Sequence, residues 1–129
     1  MTVVVAGDVF LIYCRLINPP KDKFVVCVCP QRRWFFFINS EPWKPPETQI
    51  RLTTNDLDFL AHESWLDTSR ISCMTEVELN EALGEPGRSK GTLGESVRAK
   101  LVNAIENSMT LPKGQIDILL ANLNIKETR

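Results

Sequence analysis

The chain has 129 residues, 43% hydrophobic and 24% charged, with a formal net charge of −1. That length suffices for one domain around a single core, and the composition excludes wholesale disorder. No run approaches the roughly 18 uninterrupted apolar residues of a membrane span, and residues 1–5 lack a basic leader region, so a soluble, cytoplasmic protein without a membrane partner is expected. The charge is unevenly spread. Residues 1–55 carry +3 and residues 56–129 carry −4, which allows a local positive surface without a basic protein overall.

In chain order, a Gly7-Asp8 turn launches an apolar run over residues 9–17 whose β-branched and aromatic content predicts a strand. A proline-bearing loop, residues 18–23, leads to a second run at 24–29. After Pro30-Gln31-Arg32-Arg33 a third run covers 34–38 and closes on Asn39-Ser40. The second and third runs are almost continuously apolar, which predicts cover on both faces of the sheet. Residues 39–48 hold three prolines and read as a loop. A short strand is expected at 49–53, a helical turn at 56–62 and a final strand at 64–71. Four cysteines, at positions 14, 27, 29 and 73, sit in apolar segments and read as reduced, buried thiols. The spacing puts Cys27 and Cys29 on one face of their strand. With one histidine and no Cys-x-x-Cys pair, no metal site and no cofactor are expected.

After Cys73 the period changes from strand to helix. Thr75-Glu76-Val77-Glu78 fits a capping box, and its short helix should stop at Gly84. Residues 85–91 read as a polar, mobile loop. Thr92-Leu93-Gly94-Glu95 resembles a second capping box. The helix after it carries Val97, Leu101, Ala104, Ile105 and Ser108 on one stripe, and a further helix presents Ile116, Leu119, Leu120 and Leu123. The expected architecture is α+β and β-rich: one domain over residues 1–129, a small barrel of about five strands in residues 1–73 and a helical segment in residues 74–129 packed on it.

The Gly7-Asp8-Val9 opening, the strand entered at Lys23, the Asn39-Ser40 pair and the stretch Ser64-Trp65-Leu66-Asp67-Thr68-Ser69-Arg70-Ile71 together resemble the MazF/PemK-like toxin family over residues 7 to about 110. The resemblance implies an SH3-like barrel with a terminal helix, and a metal-independent endoribonuclease. It also implies a homodimer with single-stranded RNA in a groove between subunits, and a cognate antitoxin that blocks it. Carried over residue by residue, Lys23 stands where the family has the Arg of an Arg-Pro pair, Asn39 where it has Thr, Ser40 matches Ser, and Asp67 matches an acid/base Asp with Arg70 following.

Cleavage by the RNA's own 2′-hydroxyl needs a base, an acid for the 5′-oxygen and cations around the phosphorane. Asp67 would be the base, Lys23 the phosphate clamp and Ser40 a substrate contact. Each has a plainer alternative: Asp67 an exposed carboxylate paired with Arg70, Lys23 a solvated loop lysine, Ser40 a turn cap. A histidine such as His62 is suited to proton transfer near neutral pH, but the plainer reading is a surface role or a pairing with Glu63. Arg32, Arg33 and Trp34, with Trp43 and Lys44, form the best RNA-binding group, since guanidinium contacts phosphate and indole accepts a stacked base. The alternative is an Arg-Arg turn with Trp34 closing the barrel end. A different class of function stays open throughout: a catalytically inactive barrel serving as a protein- or nucleic-acid-binding module. A gyrase-poisoning relative of the same fold is a third reading.

Overall fold

The computed structural model describes residues 4–15, 17–42 and 46–124. Among the described residues seven strands and three α-helices follow one another as β1 (Asp8–Cys14), β2 (Lys21–Cys29), β3 (Trp34–Asn39), β4 (Gln49–Leu52), β5 (Ser64–Asp67), β6 (Ser72–Cys73), α1 (Glu76–Gly84), β7 (Ser89–Thr92), α2 (Glu95–Glu106) and α3 (Lys113–Leu123). The fold is α+β, with all strands in one curled antiparallel sheet of order β4-β5-β3-β2-β1-β7 and β6 also paired to β3.

The strands form where β-branched and aromatic side chains can be buried on a pleated surface, and here both faces are buried, as the continuous apolar runs predict. Val9, Val26, Val28, Phe36, Leu52 and Leu66 meet Val97, Leu101 and Ile105 of α2 and Leu119 and Leu123 of α3. On the other face Phe10, Ile12, Val25, Cys27 and Phe35 meet Met74 and Ala82, the latter from α1. Within β1, Val9, Phe10, Ile12 and Cys14 are buried and Leu11 is half-buried.

Several boundaries differ from the sequence-based expectation, each for a local reason. β2 begins at Lys21 rather than Phe24, because Lys21, Asp22 and Lys23 pair with Cys14, Tyr13 and Ile12. A register shift between Cys27 and Cys29 sends the two thiols to opposite faces, Cys27 toward α1 and Cys29 toward the α2–α3 core. All four cysteines are free, and Cys73 is exposed rather than buried. Residues 56–62 form turns, not a helical turn, with Asp56 accepting from the Thr53 amide and hydroxyl. The expected strand at 64–71 is broken. Ile38 faces Leu66 while Phe35 faces Ser72, so the partner advances six residues as β3 moves three, and the surplus around residues 68–71 bulges out.

The segment after residue 73 is not purely helical. β7 overlaps the stretch read as a polar loop and pairs with β1, Asp8 facing Thr92. Thr75 does close a capping box with Glu78, its hydroxyl accepting from the Glu78 amide. Thr92 does not form the second one. It is held in β7, and α2 starts from Gly94 with no side-chain cap. The first turn is fastened to α2 and α3 by Arg98, which donates to the Ala6 carbonyl at 2.9 Å and the Leu123 carbonyl at 3.1 Å. Gly7, at φ +102°, sits against that guanidinium, where a Cβ would collide with it.

Candidate functional site

One cleft of about 570 Å³ opens where β2 starts and β3 ends, and it gathers four of the residues singled out from the sequence: Lys23, Ser40, Asp67 and Arg70. The antiparallel β2–β3 pairing brings Lys23 beside Asn39. β5 pairs with the same end of β3, Asn39 facing Trp65, and so delivers Asp67 to that end of the sheet. The bulge after β5 carries Arg70 into the cleft. Lys21, Glu41, Asn18 and Phe37 complete the polar and aromatic lining used below.

Lys23 is half-buried rather than a solvated loop lysine. Its Nζ donates to Asn39 Oδ1 at 2.7 Å and lies 5.7 Å from the Phe37 ring centroid. Burial, and then the neighbouring charge of Lys21, hold its pKa below the ordinary lysine value of 10.5. Asp67 makes no ion pair with Arg70. Its Oδ1 instead accepts from the Ser69 amide at 2.9 Å, closing a short side-chain turn, and from Gln49 Nε2 at 3.0 Å. The Ser69 bond and the pull of Thr68, whose amide and hydroxyl both donate to the Thr48 carbonyl, explain why the chain leaves β3 here.

The ion pairs of the described residues involve Arg15, Arg51, Arg88 and Lys113. The cleft therefore holds three cationic side chains, Lys21, Lys23 and Arg70, that are not spent on ion pairs, against two carboxylates, Glu41 and Asp67. Such a site favours an anion while keeping a carboxylate beside it. Ser40, exposed at the end of β3, presents a hydroxyl to the same space.

The other expected RNA contacts do not converge on it. Arg32, Arg33 and Trp34 occupy the opposite end of the β2–β3 pair, six residues along β2 from Lys23, or about 20 Å at ordinary strand rise. There Arg32 stacks over Trp34 at 5.5 Å, and Arg33, in a left-handed conformation at φ 56°, donates to the Met74 carbonyl at 3.0 Å. Arg33 is thus engaged in fastening the turn, while Arg32 and Trp34 keep a cation–indole pair at the surface. Trp43 and Lys44 lie outside the described residues. His62 is exposed, its Nδ1 2.8 Å from the Glu63 carbonyl, and takes no part in the cleft.

Sequence reading missed Gln49 and Lys21. Gln49 is reachable only through its cross-strand position opposite Asp67, and Lys21 was assigned to a loop although it belongs to β2. Among the described residues no cluster of three or more His, Cys, Asp or Glu is placed to hold a metal ion, and no helix is long and apolar enough to cross a membrane. Comparison with protein-family models, with curated proteins and with solved structures found no match.

Proposed function

We propose that this cleft receives the sugar–phosphate backbone of single-stranded RNA, and that the protein is a divergent, toxin-like endoribonuclease on an SH3-like barrel. The observation that carries the reading is the meeting of Lys23, Ser40, Asp67 and Arg70 in one cleft from three separate parts of the chain. In the reaction the 2′-hydroxyl gives its proton to Asp67 while its oxygen bonds to phosphorus. The bond from phosphorus to the 5′-oxygen breaks, that oxygen takes a proton from water, and Lys23 clamps the phosphate throughout. Lys21, Arg70 and the Ser40 hydroxyl face the charge on the non-bridging oxygens. The products are a 2′,3′-cyclic phosphate and a free 5′-hydroxyl. The same reading implies a homodimer and a cognate antitoxin as partners.

The test incubates the purified protein with mixed-sequence RNA in EDTA and looks for 2′,3′-cyclic phosphate ends. Cleavage by the wild type that Asp67→Asn abolishes supports the reading. A second reading, a barrel that binds RNA or protein without cutting, is favoured by the two hydrogen bonds already accepted by Asp67 Oδ1, which occupy the lone pairs of that oxygen. RNA binding with no cutting by either the wild type or Lys23→Arg selects that reading.

A further inference from the structure

Trp65 stands beside the cleft without a place in either core. Its neighbours Ser64 and Leu66 are buried, and Leu66 turns into the core under α2 and α3. Alternation along β5 therefore puts Trp65 on the opposite face of the sheet, the face that carries the cleft. The half-buried aromatics Phe24, Trp34 and Phe59 pack against one core and Phe37 against the other, whereas Trp65, also half-buried, packs against neither. Among the described residues its indole makes no hydrogen bond and no ring contact. Arg51, directly opposite it on β4, reaches for Glu63 rather than over the ring. A large amphipathic side chain held partly in solvent, with an idle N–H, is suited to meet a ligand.

The strand register sets where that ligand lies. Arg51, Trp65, Asn39 and Lys23 form one row across β4, β5, β3 and β2, and the last two are joined by their hydrogen bond. Asp67, two residues along β5, and Phe37, two along β3, share the face. Lys23, Phe37, Asn39 and Asp67 all line the cleft, so Trp65 continues it toward β4. From Trp65 to Lys23 is two strand spacings, about 10 Å, a span that one nucleotide covers between its phosphate and the far edge of its base. A phosphate held by Lys23 and Arg70, neither spent on an ion pair, leaves its base within reach of the indole. An acidic peptide would match the cations but has no base to lay on the ring.

We infer that Trp65 is the base-stacking platform of the cleft, taking the base of the nucleotide whose phosphate lies at Lys23. This rests on the proposed reading of the cleft as an RNA backbone site, and it adds the contact that makes the site select single strands. Every base has a face, so stacking tolerates sequence, but a base inside a duplex is already covered by its neighbours. Trp34 does not serve this cleft, since its ring is shared with Arg32 at the far end of the β2–β3 pair.

The test uses the full chain labelled with 5-fluorotryptophan, the Trp65 and Trp34 signals of its 19F spectrum being assigned by their loss in Trp65→Phe and Trp34→Phe. The probe is a single-stranded trinucleotide without 2′-hydroxyls, which cannot be cut, compared at low salt with the same backbone carrying no bases. The Trp65 signal should move in a saturable way with the first ligand and stay still with the abasic one, while the Trp34 signal moves with neither. Trp65→Ala should weaken binding of the base-bearing ligand about tenfold and leave the abasic ligand unaffected, and Trp65→Phe should restore most of the loss. Lys23→Gln should weaken both ligands. The 19F shift is read on the unsubstituted chain, so misfolding of Trp65→Ala would not shield the inference. Binding that depends on Lys23 while the Trp65 signal stays still would overturn the inference and leave the RNA reading standing. No binding of either ligand, or of longer single-stranded RNA, would overturn both.

Discussion

Lys23 and Asn39 are bonded to each other, Nζ donating to Oδ1 at 2.7 Å. In the proposed reading they are two of the positions at which the sequence differs from the MazF/PemK-like pattern, and they meet in space. The Asn39 amide supplies the acceptor that holds the ammonium, so the two departures form one local arrangement rather than two independent changes.

Lys23→Arg should raise the rate of RNA cleavage, because a forked guanidinium grips two phosphate oxygens where an ammonium acts as a point charge. The gain should be larger when Asn39 is also replaced by Thr, with a coupling of about 0.5–3 kcal/mol between the two sites, as for residues in direct contact. Single-turnover rates of the four proteins in the cycle measure it. Strict additivity would show that the Lys23–Asn39 bond does not set the position of the cation.

The two poles of the β2–β3 pair should separate by RNA length. Charge reversal at Lys23 should weaken even a di- or trinucleotide. Reversal at Arg32 should leave such short ligands unaffected and weaken only strands long enough to span the roughly 20 Å between the poles. Each lost phosphate contact should flatten the dependence of log affinity on log salt by about one. Equal loss on the shortest ligand from both changes would place Arg32 in the cleft after all.

Leu101 is fully buried between α2 and the sheet, whereas Val77 on α1 is 62% exposed. Leu101→Ala should therefore cost about 2–5 kcal/mol and Val77→Ala no more than about 0.5 kcal/mol, compared by chemical denaturation. A Leu101→Ala midpoint equal to the wild type would remove α2 from the core.

Alkali should act through Cys27. Burial, with the Asp8 charge second, pushes its thiol from 9.0 up to about 12. Above about pH 9 the unfolded chain sheds this proton and the folded one keeps it, so stability falls as pH rises, by up to about 1.4 kcal/mol per unit for this group. Cys27→Ala should start less stable at pH 7 but lose stability with a shallower slope between pH 8.5 and 10. Parallel slopes would rule the thiol out as the cause.

Much of this molecule could be read from local chemistry. Thr75 announces its helix because the cap and its partner Glu78 lie within four residues. The stripe containing Val97, Leu101 and Ile105 follows from periodicity alone. What escaped depends on distant partners. Thr92 looks like a cap but is claimed by Asp8 across the sheet. The β7 stretch, Ser89-Lys90-Gly91-Thr92, has neither alternation nor β-branched bulk before its last residue, and becomes a strand because β1 offers it an edge. Cys29 changed faces through a bulge that spacing cannot reveal. In the cleft, Lys23, Ser40, Asp67 and Arg70 were legible as residue types in order. Gln49 was not, since its role exists only through the register that sets it opposite Asp67.

The clasp of Arg98 on the Ala6 carbonyl joins groups 92 residues apart in sequence, and β7 reaches β1 across almost the same span. A ribosome therefore releases the meander β1–β2–β3 long before its last neighbours exist. The early strands can pair by closing short loops, while β7 and α2 must wait for a large one. In that interval the outer edge of β1 is unpaired and the Val9–Val26–Phe36 surface is bare. A nascent chain in that state offers both a strand edge and an apolar face to any neighbour until the second half of the chain arrives to cover them.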